Sequence, residues 1–356
     1  MKQKFLTGII LLLFPFIIFA QETQEMQESD SLKAALKDRQ LANKLYNESL
    51  ELFNEHKYTE SMTMINKAIA LNPEFAKAYY NRATIRLRLN NTAEAIEDYN
   101  KVIELEPNPT SYTGRAYAFL INKEYQKAIE DLSIAINDNP DYAEAYYYRG
   151  CVYVEQEKYS QALTDFDKAI RLKSDYAIAY CERGSLKLIM KDYESAKSDL
   201  TKAVTFDAAL ALGYNNLGKV SEKNEDFESA IEYYTAALKI NPDYFIAFNN
   251  RAGIKHQTGD YEGALEDYNK AIAINEDYAP LYNNRGNTKY MLGDLSGAIT
   301  DFTKAINLDA GYGDAFLNRG IVKEMQRDVK GACRDWKMAS EKGVIKAQKY
   351  VTNQCD

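Results

Sequence analysis

Between Ala143 and Ser174 the apolar residues fall into two stripes. Tyr146, Gly150 and Tyr153 stand at i, i+4 and i+7, which is one face of a first helix. A short polar stretch, Glu155 to Lys158, interrupts the pattern. Tyr159, Ala162, Leu163, Phe166, Ala169 and Ile170 then make a second stripe at helical spacing. The small residues Gly150 and Ala162 allow close approach of the two helices, with the large side chains filling the flanks. Asn-Pro-Asp-Tyr at 139–142 and 241–244 closes a second helix, because the residue before a proline is driven out of the helical region.

The same pattern returns along the chain. Ala128, Ala162, Ala196, Ala230, Ala264, Ala298 and Ala332 recur every 34 residues, Ala95 stands one residue closer to its neighbour, and Ser61 fills the slot one period earlier. A fixed period of this length describes a stack of helical hairpins, not a globule around one cleft. Binding is therefore favoured over catalysis.

The order Tyr, Gly/Ala, Tyr/Leu, Ala, Phe/Tyr, Ala, Pro resembles the tetratricopeptide repeat over about residues 42–346. The resemblance implies an all-α, right-handed superhelical solenoid of antiparallel helix pairs. Its nine units are 42–75, 76–108, 109–142, 143–176, 177–210, 211–244, 245–278, 279–312 and 313–346, followed by a capping helix in 344–356. The first unit departs most, with Ser49 and Ser61 at the two close-packing sites, as a terminal cap should. Most of the 28 tyrosines follow from the repeat: Tyr79, Tyr112, Tyr146, Tyr180, Tyr214 and Tyr282 share one packing position and read as core, not as a ligand cage.

Aligning the chain with itself exposes a charge pattern. The seventh position holds Arg82, Arg115, Arg149, Arg183, Arg251, Arg285 and Arg319; the twenty-third holds Asp98, Asp131, Asp165, Asp199, Asp267, Asp301 and Asp335. The two units without the Arg (Glu48, Leu217) are the two without the Asp (Met64, Tyr233). Pairing each Asp with the next unit's Arg would break this correlation, so an Arg–Asp bridge is expected inside each of seven hairpins. Replacement of both partners together is the pattern expected of a partly buried ion pair.

The resemblance also implies a groove lined by the first helices. Its sixth position holds Asn81, Asn216, Asn250, Asn284 and Asn318, and Asn215, Asn249 and Asn283 sit beside three of them. An amide donates and accepts at once, so a row of them suits the backbone of an extended peptide. It resembles the asparagine ladder in the repeat region of O-linked N-acetylglucosamine transferases. The alternative is bonding among neighbouring helices. The row lapses at Gly114, Tyr148 and Glu182, which directs attention to a groove from about 211 to 324, where Lys219, Lys223, His256, Asn287 and Tyr290 share the face. Chaperone adaptors of the family hold a carboxylate with lysines at the second and fifth positions; Leu212, Ile246, Pro280, Asn215, Asn249 and Asn283 stand there instead, so that clamp is absent.

The remaining chemistry is sparse. Net charge is −8, with no basic patch for nucleic acid. Only His56 and His256 exist, no His/Cys/carboxylate cluster has metal-ligand spacing, and no phosphate loop or nucleophile elbow occurs, so neither cofactor nor metal nor enzymatic activity is expected. Cys333 and Cys355 lie nearly symmetrically about Gly343-Val344, which predicts a disulfide that clips the last helix down; Cys151 and Cys181 are read as two thiols, with a second bridge as the lesser alternative.

The first 20 residues are of another kind. Lys2 and Lys4 precede an apolar run from Phe5 to Phe19, broken by Pro15 and followed by Ala20, which fits a secretory signal cleaved after Ala20, with a retained anchor as the alternative. Residues 21–40 read as a polar tether and, from Asp30 or Ser31, the start of a helix. The whole is expected to be an exported protein, periplasmic or secreted, with no stable membrane insertion after cleavage. It would scaffold a complex or hold a partner protein or extended peptide; the rival reading is a structural spacer or self-assembling envelope component. Partner identity and oligomeric state stay open.

Overall fold

The computed structural model describes residues 7–355, and among them all regular structure is helical. Lys2 and Lys4 of the expected leader lie outside the described residues. The chain divides after Leu172 into two compact units.

In the first unit, α1 (Thr7–Asn54) pairs through its C-terminal part with α2 (Tyr58–Leu71). The pairs α3 (Ala76–Arg88) with α4 (Thr92–Leu105), α5 (Pro109–Ile121) with α6 (Tyr125–Asp138), and α7 (Ala143–Glu155) with α8 (Tyr159–Leu172) follow. The second unit continues the scheme: α9 (Ala177–Ile189) with α10 (Tyr193–Phe206), α11 (Ala211–Lys223) with α12 (Phe227–Ile240), and α13 (Phe245–Gln257) with α14 (Tyr261–Ile274). It ends with α15 (Ala279–Met291) on α16 (Leu295–Leu308), α17 (Gly313–Met325) on α18 (Val329–Glu341), and the single helix α19 (Ile345–Gln354).

One expectation is corrected at the start of the chain. Residues 21–40 form no separate tether: α1 is a single helix across them. Between Pro15 and Pro73 the sequence has neither proline nor glycine, and Gln, Glu, Leu, Ala and Lys are good helix formers, so nothing there stops propagation. Leu32, Leu36 and Leu41 on this stretch are exposed.

Inside a hairpin, the periodic alanines and Ser61 are wholly buried. The helices meet so closely that a Cβ on Gly150 would stand 2.7 Å from the Phe166 ring and one on Gly320 would stand 2.5 Å from Trp336. In the first hairpin Ser49 and Ser61 replace the Gly/Ala contact with hydrogen bonds: Ser61 Oγ donates to the Ser49 carbonyl (2.7 Å) and Ser49 Oγ to the Ser61 carbonyl (3.1 Å).

Each hairpin turn carries one residue in the left-handed region. These are His56, Asn90, Lys123 and Glu157 in the first unit and Lys191, Glu225, Gly259, Gly293 and Arg327 in the second. Asp192, Asp226, Asp260, Asp294 and Asp328 then cap the second helices of the second unit, each accepting from the backbone N–H three residues on. At the end of the chain Cys333 and Cys355 form the expected disulfide, Cα–Cα 5.5 Å, and Tyr350 of α19 stacks on Trp336 at 4.7 Å.

Candidate functional site: the first-helix face

Within each unit the first helices of successive hairpins touch one another: α3 with α5 and α5 with α7, then α9, α11, α13, α15 and α17 in turn. The first-helix face is thus the crowded side of each stack, and groups on it meet across repeats.

The ion pairs fix how the first helix is rolled in the seven hairpins that carry them. All seven Arg–Asp bridges are present and bidentate: Nε and Nη2 donate to the two carboxylate oxygens at 2.6–2.9 Å. The guanidinium also lies 5.2–5.9 Å from the aromatic ring at the fourth position, from Tyr79 to Phe316. Its remaining Nη1 donates back to the previous hairpin: to Asn66, Asn100, Thr235, Asn269 and Thr303 at 2.7–3.0 Å for Arg82, Arg115, Arg251, Arg285 and Arg319. A second cation, absent from the sequence reading, completes five of the bridges. Arg86, Lys187, Lys255, Lys289 and Lys323, one turn after each Arg, reach the same Asp at 2.6–2.9 Å. Burial pushes the Asp267 carboxyl up, but Arg251 and Lys255 outweigh it and hold it below the ordinary value.

The asparagines form a continuous relay in the second unit. Asn318 donates to Asn283 (3.0 Å), Asn283 to Asn284 (3.4 Å), Asn284 to Asn249 (3.1 Å) and Asn249 to Asn250 (3.4 Å). Asn250 donates to Asn215 (3.0 Å), Asn215 to Asn216 (3.2 Å), and Asn216 to Ser185 Oγ (2.7 Å), which donates to the Cys181 carbonyl. The three Asn–Asn links between repeats run from a sixth position to the fifth position of the preceding repeat, and Asn216 reaches the ninth position, Ser185. The expectation that all of these amides meet a guest is corrected for Asn215, Asn216 and Asn283, which are buried; Asn249, Asn250, Asn284 and Asn318 are half-buried. In the first unit Asn81 donates to the Tyr46 hydroxyl at 2.6 Å.

The other expected groove residues lie on the same helices. Lys219 is half-buried; Lys223 is exposed beside Glu222. His256 Nδ1 stands 3.1 Å from Thr288 Oγ1, and burial lowers its pKa, which keeps the ring neutral at pH 7. Asn287 and Tyr290 are half-buried, Tyr290 packing beside Phe302 and Val322. Neither Cys151 nor Cys181 takes part in a disulfide, and burial pushes the Cys181 thiol up to about 12. Among the described residues no group of three or more His, Cys, Asp and Glu is placed to hold a metal.

The cavities lie elsewhere, on the first-helix face of the first unit. Two of about 400 Å³ each share Tyr80 as a wall. The first is bounded by Tyr46, Lys77, Asn81, Asn108 and Ser111, the second by Tyr99, Thr113, Gly114, Tyr117, Tyr142 and Tyr148. The second opens where the asparagine row lapses. Gly114 takes the sixth position, and a Cβ there would stand 2.6 Å from the Tyr99 ring and 3.0 Å from Tyr80. Burial raises the pKa of Tyr80, Tyr99 and Tyr142 and pushes Tyr148 up to about 12, so all four stay neutral hydrogen-bonding rings. The sequence signal for this site was the lapse itself, together with tyrosines outside the shared packing position.

Profiles of the tetratricopeptide repeat match residues 76–109, 143–176, 177–210, 211–244 and 279–312, and a TPR repeat profile matches 253–293, together more than half of the chain. An Hsp70-Hsp90 organizing protein from Triticum aestivum is 33% identical over 126 residues, 35% of this chain and 20% of that protein. RNA polymerase II-associated protein 3 from Xenopus tropicalis is 38% identical over 86 residues, 24% of this chain and 13% of that one. The chain spans about a fifth or less of the length of these curated relatives. Among solved structures, the APC/C hetero-tetramer Cut9-Hcn1 aligns with TM-score 0.64 at 14% identity, over 78% of this chain and 55% of that one. Pseudomonas aeruginosa pilF aligns with TM-score 0.51 at 17% identity, over 62% and 99%. These two share the fold, an all-α superhelix of helix pairs.

Proposed function

The chain belongs to the tetratricopeptide-repeat family, and on that premise we propose that it is a non-catalytic scaffold holding an extended segment of a partner protein against its first helices. Protein–protein interaction is the role its relatives and repeats support; the groove is our own reading. The observation that carries it is the pair of cavities flanking Tyr80, because two adjoining recesses on one helix face suit successive side chains of a chain-like guest. The relay in the second unit is the other candidate surface, since half-buried Asn249, Asn250 and Asn284 each use one N–H and one lone pair in it and keep another of each.

The wheat relative's name refers to Hsp70 and Hsp90, but the second and fifth positions of α11, α13 and α15 carry no lysine, so a chaperone-tail clamp is not carried over to them. A rigid spacer is the second reading, favoured by the bonding of the relay's amides to one another. Selecting decapeptides from a random display library on the immobilised chain separates these. Loss of binding in Tyr148→Ala places the guest in the first unit; loss only in Asn250→Ala/Asn284→Ala places it on the relay. Recovery of no peptide supports the spacer.

We further propose export to an oxidising compartment, supported by the Cys333–Cys355 bridge and the leader-like N-terminus. Fractionation with N-terminal sequencing is expected to find a mature chain starting at Gln21 outside the cytoplasm; an uncleaved cytoplasmic chain with reduced cysteines contradicts it.

A further inference from the structure

We infer that the cavity between α3, α5 and α7 is a recognition pocket for one aromatic side chain with a polar tip, tyrosine or tryptophan, on the partner segment. The inference rests on the binding reading above and adds what the site selects.

Three observations converge on that occupant. The first is the walls. Tyr80 and Tyr99 meet edge to face, 5.4 Å between centroids at 76°, and Tyr117 and Tyr148 meet at 5.3 Å and 50°. All four rings line the cavity, one pair edge to face and one tilted, so an entering ring can join the edge-to-face arrangement that aromatic side chains prefer. The second is an orphaned group. Thr113, only 4% exposed, lines this cavity, and its Oγ1 is buried with no hydrogen-bond partner among the described residues. A buried hydroxyl without a partner is costly, so a guest bearing a donor or acceptor gains where leucine or phenylalanine would leave it dry. The third is charge. Arg88 and Glu144 both stand at the cavity, so it carries no net sign to select an ion of either kind.

Size agrees. About 400 Å³ is near the small end of ligand clefts, which run roughly 300–1,000 Å³, enough for one large side chain and its backbone. The shared Tyr80 wall leads into the neighbouring cavity, where the next part of the chain would lie. Gly114 is what keeps the pocket open in this form, since a Cβ there would drive Tyr99 and Tyr80 out of position.

The test uses the full chain and acetylated, amidated pentapeptides Gly-Ser-X-Ser-Gly with X = Tyr, Trp, Phe, Leu or Lys, titrated by calorimetry and NMR. Tyr and Trp are expected to bind about tenfold more tightly than Leu and Lys, the scale of a hydrogen bond and a ring contact together. Thr113→Val removes the hydroxyl at nearly constant volume and leaves folding intact. It is expected to bring Tyr and Trp down to the level of Phe while leaving Phe unchanged. Equal binding of all five, preference for Lys, or an unaltered Tyr preference in Thr113→Val overturns the inference. So does absence of binding at millimolar concentration, even where longer library-selected peptides bind and the scaffold reading therefore stands.

Discussion

Every bridging Asp is 1–6% exposed and every bridging Arg 14–21%, so each bidentate fork is shielded on the acidic side and open to water on the basic side. Removing one partner of such a pair costs more than replacing both, because the survivor is left buried and unpaired. Arg149→Ala is therefore expected to destabilise by about 3 kcal/mol in urea denaturation. Arg149→Leu with Asp165→Tyr, the Leu217/Tyr233 combination, is expected to recover most of it; additive losses would contradict the pairing. Asp267 gives the pH dependence its sign. Its folded pKa lies below the ordinary Asp value of about 3.9, so its contribution is complete above that pH and is lost as the pH falls through the folded value. Asp267→Asn is expected to flatten acid unfolding below about pH 4 and to lower stability at pH 7; an unchanged acid limb in thermal melts would contradict it. The bridges were legible in the sequence because both partners vanish from the same two repeats. The second cation was missed although the same self-alignment contains it, at Arg86, Lys187, Lys255, Lys289 and Lys323.

At the level of helices and turns, the repeat fixes backbone as well as side chains. Seven of the hairpin turns place a non-glycine residue at φ between 57° and 66°, a conformation that costs an L-residue roughly 1 kcal/mol. Glu157→Gly and Glu225→Gly are each expected to raise stability by about 0.5–1 kcal/mol in chemical denaturation, as Gly259 and Gly293 already exemplify. A loss of stability would mean that the acidic side chains carry contacts worth more than the strain. The asparagine relay joins first helices in register, and Asn284→Ala is expected to cost about 1–3 kcal/mol because Asn249 loses its donor. Helix positions and the Cys333–Cys355 clip were readable from period and symmetry. The run of α1 through the whole of 21–40 was not, because its polar composition points to a tether although the residues are good helix formers.

Over the whole molecule the repeat supplies two kinds of first-helix surface. In the second unit the amides of the polar row bond one another from repeat to repeat, whereas in the first Gly114, Thr113 and the tyrosines leave space. The row was visible as recurring Asn, but its bonding was not, since only coordinates show that fifth and sixth positions of neighbouring repeats meet. The lapse at Gly114 marked the place of the second cavity, but its walls were not legible, because side chains from three hairpins make them. Hydrogen exchange with mass spectrometry, on the full chain with and without a library-selected peptide, tests the binding face most directly. Slowed exchange in 76–88, 109–121 and 143–155, with the second helices unaffected, is the predicted result. Protection confined to α4, α6 and α8, or no peptide that binds at all, would contradict a guest held by the first helices.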